Sequence, residues 1–215
     1  MIADPLGEAT RSICAGGLIA YPTETVWGLA VDANNPDALE ALRAWKGRGE
    51  DQPISILVHH ADALSTLGFG AVGCAQALAK RFWPGPLTLV LPCSTDYPQG
   101  IAREDGAVGV RCSSHPLTSA WARRLWSEGS GPVTATSLNR TGDPPARTRS
   151  EASILCSGDE GGPKLLEVEG AESGGDEPST VIDLTGEEPH ILRWGAIGPE
   201  ELLPVIEETR SRWQS

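Results

Sequence analysis

Apolar positions along this chain recur in two alternating rhythms. Short runs rich in Leu, Ile, Val and Ala, at Leu18–Tyr21, Val26–Val31, Ile54–Val58, Leu87–Leu91, Ala107–Arg111 and Val133–Thr136, read as strands. Between them lie segments with apolar residues three and four apart. Leu39, Leu42 and Trp45 predict a helix that Asn35 caps and Pro36 opens, ending near Trp45. Val72, Ala75, Leu78, Ala79 and Phe82 predict a helix over Ala71–Phe82, which Trp83-Pro-Gly-Pro86 breaks. Leu117, Trp121 and Leu125 mark another over Pro116–Trp126. A helix at Arg149–Cys156 follows, then closing strands at Lys164–Val168, Thr180–Leu184 and His190–Arg193. A final helix is expected over Pro199–Arg212, with Pro204 tolerable only near its first turn. Helical crossovers mixed with closely spaced strands predict one α/β domain around a twisted, mixed sheet. The Gly- and acid-rich segments Ser157–Pro163 and Gly170–Pro178 read as solvated loops within it.

The chain has 215 residues, which suits one domain, spanning 1–215 with a core over about 10–200. A chain of that length buries about 70% of its unfolded surface and needs no staples. No apolar run approaches the roughly 20 residues that cross a bilayer. The opening MIADPLGEATRS lacks a basic start followed by an apolar stretch, so no signal peptide is expected and the cytoplasm is the default location. Five cysteines, at 14, 74, 93, 112 and 156, make an odd count with no Cys-x-x-Cys, which predicts buried free thiols rather than disulfides or zinc. The four histidines show no metal-ligand spacing.

The net charge of −12 argues against a surface that coats nucleic acid. Acidic residues crowd Asp159–Glu188, whereas Lys and Arg spread over 43–149. A cationic site on an acidic body would attract a small polyanion.

Six short constellations carry the candidate chemistry. Tyr21-Pro-Thr-Glu-Thr-Val-Trp-Gly28 places the hydroxyls of Thr23 and Thr25 between two strands. Lys46-Gly-Arg48 sets two cations beside a glycine at a helix end, where a fork and a point charge can grip a polyphosphate. Phe82-Trp-Pro-Gly-Pro-Leu-Thr88 is chiefly stiff turn chemistry. Val108-Gly-Val-Arg111 ends an apolar strand in a cation. Ala135-Thr-Ser137-Leu-Asn139 ends one in a hydroxyl and a carboxamide that can bond a nucleotide. Ser179-Thr-Val-Ile-Asp183 precedes Ile191-Leu-Arg193-Trp-Gly195, where another cation ends an apolar stretch. Each constellation alone also has an ordinary structural reading as a turn, a cap or a solvated charge.

Their joint order resembles the YrdC/TsaC family over roughly residues 10–200. The resemblance implies a twisted open sheet around a concave, positively lined cavity. It implies a threonylcarbamoyl-AMP synthase, which joins L-threonine, bicarbonate and ATP, with Mg²⁺, and releases pyrophosphate. Partner proteins would then pass the threonylcarbamoyl group to the adenosine beside a tRNA anticodon. By the same resemblance Lys46, Arg48, Gln52, Ser137, Asn139 and Arg193 would bind ATP or AMP. Thr23, Thr25, Arg111 and Ala135 would bind threonine. No protein nucleophile is needed, and Mg²⁺ would be held mainly by ATP. Leu57 stands where many members place a histidine facing threonine; His59, two residues on, shares its strand face. Trp27 replaces a usual tyrosine. The extra C-terminal domain of longer relatives is expected to be absent. The alternatives are a paralogous ATP-dependent carbamoyl-transfer enzyme and a double-stranded RNA-binding module. Retention of Lys46, Arg48, Ser137 and Asn139 disfavours the second.

Overall fold

The computed structural model describes residues 4–49, 52–70, 73–158, 161–166, 168 and 172–213. In chain order the elements are α1 (Pro5–Cys14), β1 (Ile19–Tyr21), β2 (Gly28–Ala30), α2 (Pro36–Lys46), β3 (Ser55–Leu57), α3 (Ala63–Thr66), α4 (Gly73–Phe82), β4 (Leu87–Pro92) and β5 (Ala107–Arg111). They continue with α5 (Pro116–Ser127), β6 (Val133–Ser137), α6 (Arg149–Ser157), β7 (Lys164–Leu165), β8 (Thr180–Asp183), β9 (His190–Arg193) and α7 (Pro199–Trp213). Among the described residues nine strands form one sheet in the order β7-β1-β2-β6-β3-β5-β4-β8-β9. Pairing is mixed: β1 with β7, β3 with β5 and β4 with β8 run parallel, and the remaining neighbours antiparallel.

The strands of the sheet's centre explain the cavity. Ile56, Val108, Val110, Leu87, Leu89, Leu91 and Ile182 join one core cluster with Leu39 and Leu42 of α2, Leu78 of α4 and Leu202 of α7. Alternation sends their neighbours Ser55, Gly109, Arg111, Thr88, Val90 and Val181 to the opposite face. Toward β1, β2 and β6 that second face is covered. There Ile19, Tyr21, Leu57 and Val133 pack with Ile13 of α1 and Trp121 and Leu125 of α5. Beyond that cover, the second face is concave and lined by polar and small residues together with Tyr21, Trp27, Ile54 and Leu192.

Several expectations are corrected. Helix α1 stands where only the absence of a signal peptide had been considered; the Asp4 carboxylate accepts from Gly7 N at 3.1 Å and Pro5 opens the helix. Helix α3 was not anticipated. Pro204 lies inside α7, beyond its first turn. The helix still docks, with Leu202 buried and Thr209 donating to Cys74 Sγ of α4. Strand β7 ends at Leu165, two residues long, and the start of the helix expected at Ala71 lies outside the described residues. Cys14 is exposed, so not every thiol is buried, though all five are free. Among the described residues no helix is long and apolar enough to cross a membrane.

Candidate functional site

The open part of the second face holds a cavity of about 330 Å³, within the usual size of small-molecule sites. Register explains its floor. Gly28 pairs with Ser137, Ser55 with Ala135, Thr88 with Arg111 and Val181 with Arg193, so lining residues from seven strands form adjacent pairs across the sheet. Arg48, Arg103, Arg111 and Arg193 all reach the lining, and no carboxylate is among the lining residues described.

The four guanidinium groups differ in partners. Arg103 is spent: it donates to Asp105 at 3.0 Å, to Thr185 Oγ1 at 3.0 Å and to Asp183. Arg48 follows the left-handed Gly47 that ends α2. It donates through Nε to Gln52 O (3.2 Å) and through Nη2 to Pro53 O (2.9 Å). Arg193 donates through Nε and Nη2 to Ser179 O, at 3.1 and 2.9 Å. Neither Arg48 nor Arg193 has a carboxylate partner among the described residues. Burial lowers both pKa values, aided by the charge of Arg43 beside Arg48 and of Arg111 near Arg193. Two partly desolvated cations bonded only to neutral oxygens favour an anionic ligand.

Arg111 is built differently. Its Nη2 donates to Thr25 Oγ1 at 2.6 Å, to Glu24 Oε1 at 3.0 Å and to Thr23 Oγ1 at 3.4 Å. Its Nε is buried and unpartnered among the described residues. The loop between β1 and β2 is shaped for this. Thr23 Oγ1 donates to Val26 O (2.6 Å), accepts from Thr25 N (3.1 Å) and lies 2.8 Å from Thr25 Oγ1. Ser113 donates to the other oxygen of Glu24. Burial works against the Glu24 carboxylate's charge, but the Arg111 guanidinium and the Ser113 hydroxyl outweigh it and hold its pKa below the ordinary carboxylate value.

At the end of β6, Ser137 Oγ donates to Asn139 Oδ1 at 2.6 Å, and Asn139 Nδ2 donates to Asp143 O at 2.7 Å. Lys46 underpins this turn: its Nζ donates to Ser137 O (2.6 Å), Asn139 O (2.9 Å) and Asn139 Oδ1 (2.9 Å). Lysine has three donors, and all three are used. Burial, then the Arg48 charge, lowers its pKa from the ordinary lysine value.

The segment 172–178, expected to be a solvated loop, instead straps across the Thr23–Thr25 loop. Gly174 N donates to Thr23 O at 2.9 Å and Gly175 N to Thr25 O at 3.0 Å. It runs on into Pro178 and Ser179 of the lining. Gly195 closes against its end: a Cβ there would lie 2.1 Å from Pro178 O and 2.7 Å from Ser179 C. Since backbone stands on that side, Gly195→Ala must part β9 from the strap and loosen Arg193. The expected cost is about 1–3 kcal/mol, read as a lower urea midpoint with an unchanged slope.

Of the residues singled out in the sequence, Thr23, Arg48, Arg111, Ala135, Ser137 and Arg193 converge on the cavity. Thr25 and Asn139 stand directly behind it, bonded to Arg111 and Ser137. Lys46 stands near them, but its ammonium reaches the turn rather than the cavity lining. Gln52 is exposed, off the lining, and offers Arg48 its carbonyl. Leu57 is 3% exposed within the α1/α5 core, and His59 stacks on Trp126 with ring centroids 4.6 Å apart, so neither reaches the cavity. Sequence reasoning missed Glu24, Ser113, Thr88, Ser179 and Arg103. The signals available were Glu24 between two assigned threonines and Thr88 and Ser179 within noted motifs.

The chain is similar to known proteins in both sequence and fold. The sequence profile of the Sua5/YciO/YrdC family, described as telomere recombination, matches residues 11–195. The threonylcarbamoyl-AMP synthase of Pyrococcus abyssi is 37% identical over 202 residues, covering 94% of this chain and 57% of that protein. That of Chromohalobacter salexigens is 32% identical over 182 residues, covering 85% of this chain and 94% of that one. The crystal structure of P. abyssi Sua5 complexed with L-threonine superposes with a TM-score of 0.84 at 34% identity, over 97% of this chain and 59% of that chain. The chain thus spans rather more than half the length of the archaeal relative and nearly all of the bacterial one.

Proposed function

Because this chain belongs to the Sua5/YciO/YrdC family, we propose that it is a threonylcarbamoyl-AMP synthase that uses L-threonine, bicarbonate and MgATP and releases pyrophosphate. The observation that carries the reading is one cavity with two kinds of cation. Among the described residues Arg48 and Arg193 have only neutral partners and suit phosphates, while Arg111, among threonine hydroxyls, suits an amino-acid carboxylate.

The chain's residues then divide the work. Arg48 and Arg193 bind the nucleotide phosphates, with Ser137 and Asn139 beside the AMP portion. Arg111 takes the threonine carboxylate, with Thr23, Thr25 and Ala135 around it. Lys46 acts by fixing the Ser137–Asn139 turn. The threonine nitrogen attacks the bicarbonate carbon, a C–N bond forms and water leaves, giving a carbamate; a carbamate oxygen then attacks the α-phosphorus, a P–O bond forms, and the bond to the pyrophosphate leaving group breaks. The protein holds the reactants in line and stabilises charge on the phosphoryl oxygens, so it acts as a nucleotidyltransferase with no covalent intermediate. Among the described residues no three His, Cys, Asp or Glu side chains cluster as metal ligands. The polar lining residues are cations and hydroxyls with no carboxylate among those described, a set that suits phosphate oxygens, so Mg²⁺ is assigned to ATP as part of the substrate. The adenylate would pass to proteins that modify the tRNA adenosine beside the anticodon.

The test is pyrophosphate release from MgATP with threonine and bicarbonate supplied or withheld singly. The expected result is release only when both are present. Equal release without threonine would overturn the assignment.

A further inference from the structure

Of the four guanidinium groups in the cavity lining, Arg103 and Arg111 are paired with carboxylates, and at Arg111 one residue, Glu24, makes the difference. Arg48 and Arg193 lack carboxylate partners among the described residues, whereas Arg111 is paired with Glu24 at 3.0 Å, with only 12% and 15% of the two side chains exposed. The Glu24 carboxylate is itself held at both ends, Oε1 by Arg111 and Oε2 by Ser113. Its backbone is pinned from outside: a Cβ on Gly175 would lie 2.8 Å from Glu24 O, and one on Gly174 3.3 Å from Glu24 Cα. Glu24 does not line the cavity, so it acts through Arg111.

We propose that Glu24 is a positioning and sorting residue: with Ser113 behind it, its carboxylate fixes Nη2 of Arg111, leaves the other N–H groups of that guanidinium for a substrate carboxylate, and denies Arg111 to phosphate. This rests on the assignment of Arg111 to threonine made above. The physical reason is charge balance. A buried guanidinium with its own carboxylate is neutral overall and accepts a zwitterionic amino acid, whose ammonium and carboxylate also sum to zero. A buried guanidinium without one is a general anion site, and ATP or pyrophosphate would occupy it first. The threonine hydroxyls alone cannot make this distinction, because they add donors and acceptors but no charge.

The experiment compares the full chain with Glu24→Gln, Glu24→Asp and Ser113→Ala, measuring threonine- and bicarbonate-dependent pyrophosphate release. Glu24→Gln keeps the shape and removes the charge. Its KM for threonine is expected to rise about tenfold or more, while KM for ATP and kcat stay within about threefold, the worth of one charge-assisted contact on the amino-acid side. Sulfate, an inert tetrahedral anion, should become a competitive inhibitor against threonine at a concentration at least about fivefold lower than for the parent. Glu24→Asp, which keeps the charge, should restore the sulfate resistance in part, and Ser113→Ala should move KM for threonine in the same direction by less. A Glu24→Gln enzyme with parental KM for threonine overturns the proposal. So does one whose two KM values and thermal midpoint all worsen together with sulfate inhibition unchanged, which is a purely structural role. Parental enzyme that ignores threonine removes the underlying assignment instead, an outcome visible before any variant is made.

Discussion

Replacing Arg111 by methionine is expected to abolish threonine-dependent turnover and to alter the pH dependence of stability. Loss of a substrate-carboxylate fork in a desolvated site lowers kcat/KM for threonine by about a hundredfold or more. The second effect follows from Glu24. In the parent its folded pKa lies below the unfolded value of 4.5. Its stabilising contribution is therefore fully present above that value and is lost as pH falls through the folded pKa. In Arg111→Met the burial that opposes the Glu24 charge remains, and the largest force lowering its pKa is gone. The folded pKa then rises relative to the parent's, so the variant's deficit is largest at neutral pH and shrinks as pH falls through the variant's folded pKa. Breaking a buried pair costs about 3–5 kcal/mol when the remaining charge stays ionised. Denaturation of both proteins at pH 5.5 and pH 8 checks the sign: the gap between them should be smaller at the acidic pH. A gap that is equal or larger at pH 5.5 would mean that Glu24 is not held by Arg111.

Most of the secondary structure was legible because strand and helix periods differ and their stops are strong. Strands β5 and β9 occupy the expected residues, and Asn35-Pro36 and Trp83-Pro-Gly-Pro86 bound helices where capping and proline chemistry place those bounds. Helix α1 was not legible in the same way. Its buried positions include Gly7 and Thr10, and its stability leans on Trp121 and Leu125 of α5, a contact that local pattern does not display. The pairing of Ser55 with Ala135, which brings β3 beside β6, is likewise a property of the packed sheet.

The site was legible where a cation or hydroxyl ends an apolar strand, as with Arg111, Ser137 and Arg193. It was not legible where the contact runs through backbone or through a second charge. Gly174 and Gly175 sit in an acid-rich stretch whose composition suggests solvent, yet their amides bond the Thr23–Thr25 loop; a backbone contact of this kind leaves no side-chain pattern to read. Glu24 lies inside a noted motif, but only its distance from Arg111 gives it a role. Leu57 and His59 show the reverse. Strand alternation put them on the cavity face, and the cover of α1 and α5 over that end of the face removed them from it.

Lys46 supplies the second large effect, and it separates a support from a ligand. Lys46→Met keeps the length and apolar stem of the side chain while deleting the ammonium that bonds Ser137 O, Asn139 O and Asn139 Oδ1. Removing a charge that burial disfavours relieves part of the cost, but three acceptors in a tight turn lose their donor. The balance is expected to be destabilising by about 2–4 kcal/mol, or roughly 5–15 °C in thermal midpoint for a chain of this size. The turn then drifts from the cavity wall, and displacement of the order of an ångström lowers kcat/KM for ATP by about a hundredfold. Arg48→Met offers the contrast. Arg48 reaches the cavity from a loop and bonds carbonyls of Gln52 and Pro53, so its loss should cost ATP affinity comparably with a smaller change in midpoint. If Lys46→Met matched Arg48→Met in thermal midpoint while losing the same affinity, Lys46 would be a direct phosphate ligand rather than the prop beneath Ser137 and Asn139.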